Sequence, residues 1–110
     1  MVRAVRQPLY WAADPIKRLG ARGDYLCTPA WLRGFEQIAD AGLVWDLLVY
    51  DEQLPQTHHL ITSFPDTTFV LEAIGWPLDL TAEGFSRWEE SLRAVSEFPN
   101  VVLKTQGLAL

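Results

Sequence analysis

Residues 67–77 read TTFVLEAIGWP, and this stretch decides how the rest of the chain is understood. Phe69-Val70-Leu71 is short, continuous and apolar, the pattern of a strand buried on both faces of a parallel sheet. It runs into Glu72, a carboxylate at the strand's carboxyl end, and then into Gly75-Trp76-Pro77, a turn that cannot continue as strand. In α/β sheets, open or closed, ligands are handled at that end of the strands. One acid delivered to the mouth of a sheet is a weak signal alone, so its weight depends on the flanking sequence.

The pattern recurs on both sides. Upstream, residues 43–50 (LVWDLLVY) form a strand that is apolar on both faces except for Asp46, and residues 2–6 (VRAVR) form another, ended by Gln7-Pro8. Downstream, residues 101–105 (VVLKT) make a fourth. Between them lie three helical patterns. The first opens with Thr28 as N-cap and Pro29 at the first helical position, buries Trp31, Phe35, Ile38 and Ala39, and closes at Gly42. The second runs from about Glu52 to Ser63 with Leu60, Ile61 and Phe64 inward. The third starts after Thr81 and carries Phe85, Trp88, Leu92 and Val95 along one stripe. Residues 9–27 have no sustained period and read as a long ordered loop with one helical turn; loops of that length are often functional. The order β-loop-α-β-α-β-α-β, with each connection long enough for a crossover helix, predicts parallel strands in the order 1-2-3-4 and all helices on one face.

At 110 residues there is room for one domain. No apolar run reaches the roughly 20 residues of a bilayer span, and no leader is visible, so no membrane partner is expected. The single cysteine, Cys27, fits a reducing compartment, and the cytoplasm is the expected location. The net charge is -5 and the pI about 4.8, against the high pI of most nucleic-acid readers. Arg3, Arg6, Lys17, Arg18 and Arg22 nevertheless cluster near the amino end, opposed there only by Asp14. The expected partner is a small-molecule substrate, not a nucleic acid.

Taken in series, VRAVRQ, PAWLRGFEQIADAGLVWDLLVYDEQL, FPDTTFVLEAIGWP and PNVVLKTQGL resemble the amidohydrolase-2 superfamily, and within it the lactonase-like branch of TIM-barrel hydrolases. The resemblance implies an α/β fold, a partial (β/α)8 TIM barrel of about four parallel strands with three crossover helices. It makes residues 1–110 a single domain equivalent to roughly the third to sixth barrel strands, cut at both ends. It also implies a hydrolase acting on a lactone or related cyclic ester or amide of a small polar or anionic substrate, often with a divalent metal such as zinc. The family's His-x-His strand and late Asp, which serve that metal, have no counterpart here. Its fifth-strand imidazole position is Ala73, and its Lys-x-Ser-Gly-Leu segment reads Lys104-Thr105-Gln106-Gly107-Leu108. No metal ligand is therefore assigned in this chain, and the isolated chain is expected to lack the complete site.

Lactone or amide hydrolysis needs an activated water, a group facing the developing oxyanion, and groups that hold the substrate. Glu72 is the candidate general base or hydroxyl acceptor. Lys104, a charge near the end of an apolar strand, must meet a partner or open onto water, and is the second catalytic candidate. Arg6, Gln7, Tyr50, Gln53 and Gln106 are substrate-binding candidates, Arg6 through a two-pronged contact with a carboxylate. Asp46 reads equally as a structural ion-pair partner or as part of the site. His58 and His59 are adjacent on a helix, point about 100° apart and cannot chelate one ion as an i, i+4 pair would. Trp31, Trp45 and Trp88 read as packing, Trp11 and Trp76 as core or rim. The competing functional reading is a non-catalytic half-barrel that binds a small anion or a partner chain; a free-standing flavodoxin-like domain is a third. A curled sheet with helices on one side leaves its other face, Leu48 included, open to water, so a homo-oligomer or a missing barrel half is expected to cover it.

Overall fold

In a computed structural model that describes residues 3–18, 23–72 and 75–104, the chain forms one four-stranded sheet with three helices. The strands are β1 (Ala4–Pro8), β2 (Val44–Leu48), β3 (Phe69–Leu71) and β4 (Val101–Leu103); the helices are α1 (Pro29–Asp40), α2 (Leu54–Ser63) and α3 (Ala82–Ser96). Every pairing is parallel and the spatial order is β1-β2-β3-β4, as the sequence predicts. Register places Arg6 beside Asp46, Asp46 beside Val70, and Val70 beside Val102.

Alternation along the strands divides the residues between two faces. Trp45, Leu47, Phe69 and Leu71 point to one side and share a core with Phe35 of α1, Leu60 and Ile61 of α2 and Val95 of α3. All three helices therefore cover the same face. An aromatic stack fills its centre: Phe35 lies 5.8 Å from Phe69 and 5.1 Å from Trp45 between ring centroids.

The boundaries follow local chemistry. β1 continues through Pro8 instead of ending before it. Leu9 N–H donates to Leu48 C=O, so backbone groups of odd-numbered residues face β2 and the missing N–H of Pro8 falls on the open side. Gly42 closes α1 at φ 70°, the left-handed conformation that a C′ residue requires. Thr28 precedes α1, but its hydroxyl turns back to donate to Asp24 C=O. Thr81 caps α3 as expected, accepting from Gly84 N–H. At the far end Asn100 Nδ2 donates to the carbonyls of Ile61, Phe64 and Thr67, tying the end of α2 and the approach to β3 to the start of β4.

Three further expectations are corrected. Among its described residues the long loop holds two 3₁₀ turns, Pro15–Arg18 and Tyr25–Cys27, where one helical turn is expected. Phe85 is 43% exposed although it shares the apolar stripe of α3. α3 has 15 residues, roughly 22 Å, beside strands of 3 residues, roughly 10 Å, so its first turn overhangs the sheet. Leu48 is not left open: it packs, half-buried, against the cluster of Tyr10, Ala12 and Tyr50, and only further along the same face does Val102 stay 52% exposed.

Candidate functional site

The face turned away from the helices carries Arg6, Asp46, Val70 and Val102 in one row across the sheet. Two residues further toward the carboxyl ends come Glu72 and Lys104. Alternation thus places four charged side chains together on one face, Arg6 and Asp46 at mid-strand and Glu72 and Lys104 at the carboxyl edge. Arg6 Nη2 donates to Asp46 Oδ2 at 2.9 Å and lies 3.5 Å from Glu72 Oε1; Lys104 Nζ donates to that same oxygen at 3.3 Å. Strands β1 to β4 are linked across their whole width by this line of charges.

Burial within the line is uneven. The side chains of Glu72 and Asp46 are only 5% and 14% exposed, whereas those of Lys104 and Arg6 are 46% and 59% exposed. The acids lie beneath and the cations above. A buried carboxylate left unpaired would be strongly destabilising, and here the two bases supply the charges that balance it.

The other sequence candidates separate cleanly. Tyr50 sits beside the cluster but points its hydroxyl away, donating to Lys17 C=O. Its ring packs 4.7 Å from Tyr10 and 5.5 Å from Trp76, and Tyr10 meets Trp76 edge-on at 5.6 Å. Burial raises the pKa of both tyrosines; for Tyr10 the negative charges near it, Glu72 among them, add to the rise, with Arg6 opposing. Gln7 does not join the cluster. One residue from Arg6 along the strand, it faces the helices and accepts from Trp31 Nε1 at 2.9 Å. Gln53 is fully engaged in the backbone: its Oε1 accepts from Tyr50 N–H and Trp11 N–H, and its Nε2 donates to Leu9 C=O. It braces the loops after β1 and β2 against each other. Gln106, like Ala73, lies outside the described residues.

Asp51 is not among the sequence candidates and matters here. It is buried; its N–H donates to Trp76 C=O and its Oδ1 accepts from Leu78 N–H, so the turn that follows Glu72 is held to the turn that follows β2. Its signal in the sequence is position alone, immediately past the apolar run that contains β2.

Among the described residues no three His, Cys, Asp or Glu side chains converge as metal ligands. Asp46 and Glu72 come together, but the Arg6 guanidinium stands against both of them. The described donor set does not fit a metal. His58 lies on α2 against Phe98, 5.2 Å between rings, and Cys27 is an exposed thiol bonded to Asp24.

The amidohydrolase family model matches residues 9–109, nearly the whole chain. The chain belongs to the amidohydrolase family. It is 30% identical over 98% of its length to the uncharacterized protein y4mH of Sinorhizobium fredii, and 28% identical over 97% to L-fucono-1,5-lactonase of Burkholderia multivorans. It spans about a third of these relatives, 36% and 35% of their lengths. A zinc-bound crystal structure of an amidohydrolase from Burkholderia multivorans superposes with a TM-score of 0.76 at 27% identity, covering 96% of this chain and 35% of that one. The four strands are thus part of an amidohydrolase TIM barrel, and the charged cluster runs from the middle of β1 and β2 to just past the carboxyl ends of β3 and β4. No helix among the described residues is long and apolar enough to cross a membrane.

Proposed function

We propose that this amidohydrolase chain supplies part of the active face of a hydrolase that opens a lactone, or a related cyclic ester or amide, of a small polar substrate. The observation that carries the reading is the Glu72–Lys104 pair, a buried acid and a half-exposed amine on neighbouring strands at the mouth of the sheet. The lactonase relative supports the substrate class.

Water adds to the carbonyl carbon, the ring C–O bond breaks, and the departing oxygen takes a proton to give a hydroxy acid. Glu72 accepts the proton of the attacking water, and the Lys104 ammonium faces the oxyanion as it develops. Arg6 contacts the substrate; Tyr50, Gln7 and Gln53 act from behind, through the loops and the helix they hold. No step is assigned to a metal, because the described acids are already matched by cations.

Proton release from aldono-1,5-lactones, followed with a pH indicator on the intact protein, tests the reading. Glu72→Gln is expected to lower kcat by about a hundredfold or more, the scale of lost general-base catalysis. Wild-type turnover in both Glu72→Gln and Lys104→Met would overturn the assignment. Binding without any turnover in the wild type would favour the non-catalytic module.

A further inference from the structure

We propose that Trp76 is a specificity-determining residue of this face: its indole stacks on the C–H face of a six-membered ring and so selects cyclic substrates over open chains. The proposal rests on reading the charged row as a substrate site. It deepens that reading by assigning the wall against which the ring lies.

Register leads from the acid to the aromatics. Leu48 stands one residue past the Leu47–Leu71 pair, as Glu72 does, so the two are neighbours on the face turned from the helices. Leu48 packs against Tyr10 and Tyr50, and Trp76 lies against both tyrosines, 5.6 and 5.5 Å between ring centroids. The Tyr10 phenol is close enough to feel the charges of Glu72 and Arg6, although burial is the main cause of its raised pKa.

The indole is held but not covered. It meets Tyr10 at 90° and Tyr50 at 58°, so neither ring lies flat on it. Trp76 is 46% exposed, the most open of the five tryptophans. Its backbone is fixed on both sides. Gly75 takes φ 70°, which an L side chain rarely adopts, and its N–H donates to Glu72 C=O at 3.1 Å. A Cβ there would come within 3.0 Å of Leu54 Cδ1. Further on, Asp51 N–H donates to Trp76 C=O, and Leu78 N–H donates to Asp51 Oδ1. One short turn thus carries both the acid and the indole.

An exposed indole forfeits the burial that ordinarily stabilises a tryptophan. An anchored one, however, loses little freedom when a ligand stacks on it. The indole face is the negative side of the ring quadrupole, and the C–H groups of a saturated ring present the complementary positive charge. An open chain of the same atoms offers no such face. Stacking also leaves the hydroxyl-bearing edge of the ring for the charged row, the usual division of a site between an apolar wall and a few polar groups.

Fluorescence titration of the intact protein with two neutral probes tests the proposal. One is 1,5-anhydroglucitol, a cyclic ether that ester or amide hydrolysis leaves intact; the other is glucitol, its open-chain counterpart. The ring is expected to bind about tenfold tighter and to shift indole emission to the blue as it displaces water. Trp76→Ala should remove both the preference and the shift. Trp76→Phe should keep part of the preference, and Trp76→Leu, which keeps apolar surface without a π face, should not. Trp11→Phe is the control: Arg18 already covers Trp11 at 3.8 Å, so preference and shift should persist. With an aldono-1,5-lactone, Trp76→Ala is expected to raise KM about tenfold and leave kcat nearly unchanged, the split that lost ground-state binding produces. Equal affinity for ring and open chain, a preference that survives Trp76→Ala, or no binding of either at millimolar concentration would overturn the proposal. So would emission that follows protein concentration and not the ring, the mark of a second chain over the indole. Circular dichroism checks each variant's fold, and if Trp76→Ala unfolds, Trp76→Phe against Trp76→Leu decides. Ring preference without hydrolysis of any lactone would defeat the hydrolase reading and leave this one standing; lactone hydrolysis with KM unmoved by Trp76→Ala would do the reverse.

Discussion

Tyr10 and Tyr50 stack over the end of β2 with their phenols largely withdrawn from water. Burial raises the pKa of each above the ordinary 10.0, so the fold holds the phenolic protons more tightly than the unfolded chain does. Their contribution to stability is intact below pH 10 and is lost as the pH climbs from there through the raised values. Absorbance of phenolate is expected to show both ionising later than free tyrosine, together with a falling melting temperature over that range. Ionisation of both at the ordinary pH, with no loss of stability, would contradict the placement of their rings. Among the site's side chains, those whose roles follow from parity along a strand are legible in the sequence. Glu72 and Lys104 close two short apolar runs, so each calls for a partner at the sheet's mouth, and each is the other's partner. Arg6 and Gln7 are adjacent and both carry N–H donors, yet one step along the strand sends them to opposite faces. Gln53 reads as a mouth residue for want of any local sign to the contrary. Its partners Leu9 and Trp11 lie more than 40 positions upstream, in a segment without periodicity.

Elements are easier to find in the sequence than their ends, because periodicity reports a face and not a terminus. Helices α1 and α2 end where Gly42 and Ser63 suggest, whereas β2 and β4 are shorter than the runs that contain them and β1 runs past its own through Pro8. Val49 and Tyr50 are buried residues that continue β2's run without pairing as strand. The first turn of α3 contains a constraint that reads in sequence only as a poor helix former. A Cβ on Gly84 would stand 2.2 Å from Asp79 O and 2.4 Å from Asp79 Cγ. Asp79 is itself fixed, accepting from Thr81 N–H and pairing with Arg87 at 2.7 Å. Replacing a helical glycine by alanine ordinarily stabilises by about 0.4–1 kcal/mol. Here the sign should reverse, because backbone and an anchored carboxylate must move, and Gly84→Ala is expected to cost about 1–3 kcal/mol. Urea unfolding measures it; a stabilised variant would show that residues 79–84 relax freely around the new methyl group.

Across the whole molecule, the sheet's order and direction are readable because each connection is too long for a hairpin and long enough for a helix. Which loops fold over the open face is not readable, since Tyr10 and Leu78 sit in aperiodic segments. Even with those loops in place, Val102 remains exposed, and among the described residues β1 and β4 each pair on one side only. Unpaired strand edges beside exposed apolar surface invite another chain. We therefore propose that the chain associates in solution, and light scattering at micromolar concentration is expected to give a particle heavier than one chain. A cooperatively melting monomer would refute that. The sheet also has a property that belongs to inheritance. Because neighbours in space are neighbours in sequence, one more strand-helix unit can be joined at either margin without undoing a pair already made. Duplication, loss or exchange of such units leaves the remaining register intact. A gene encoding this topology can therefore lengthen or divide by whole modules without re-pairing the strands that remain.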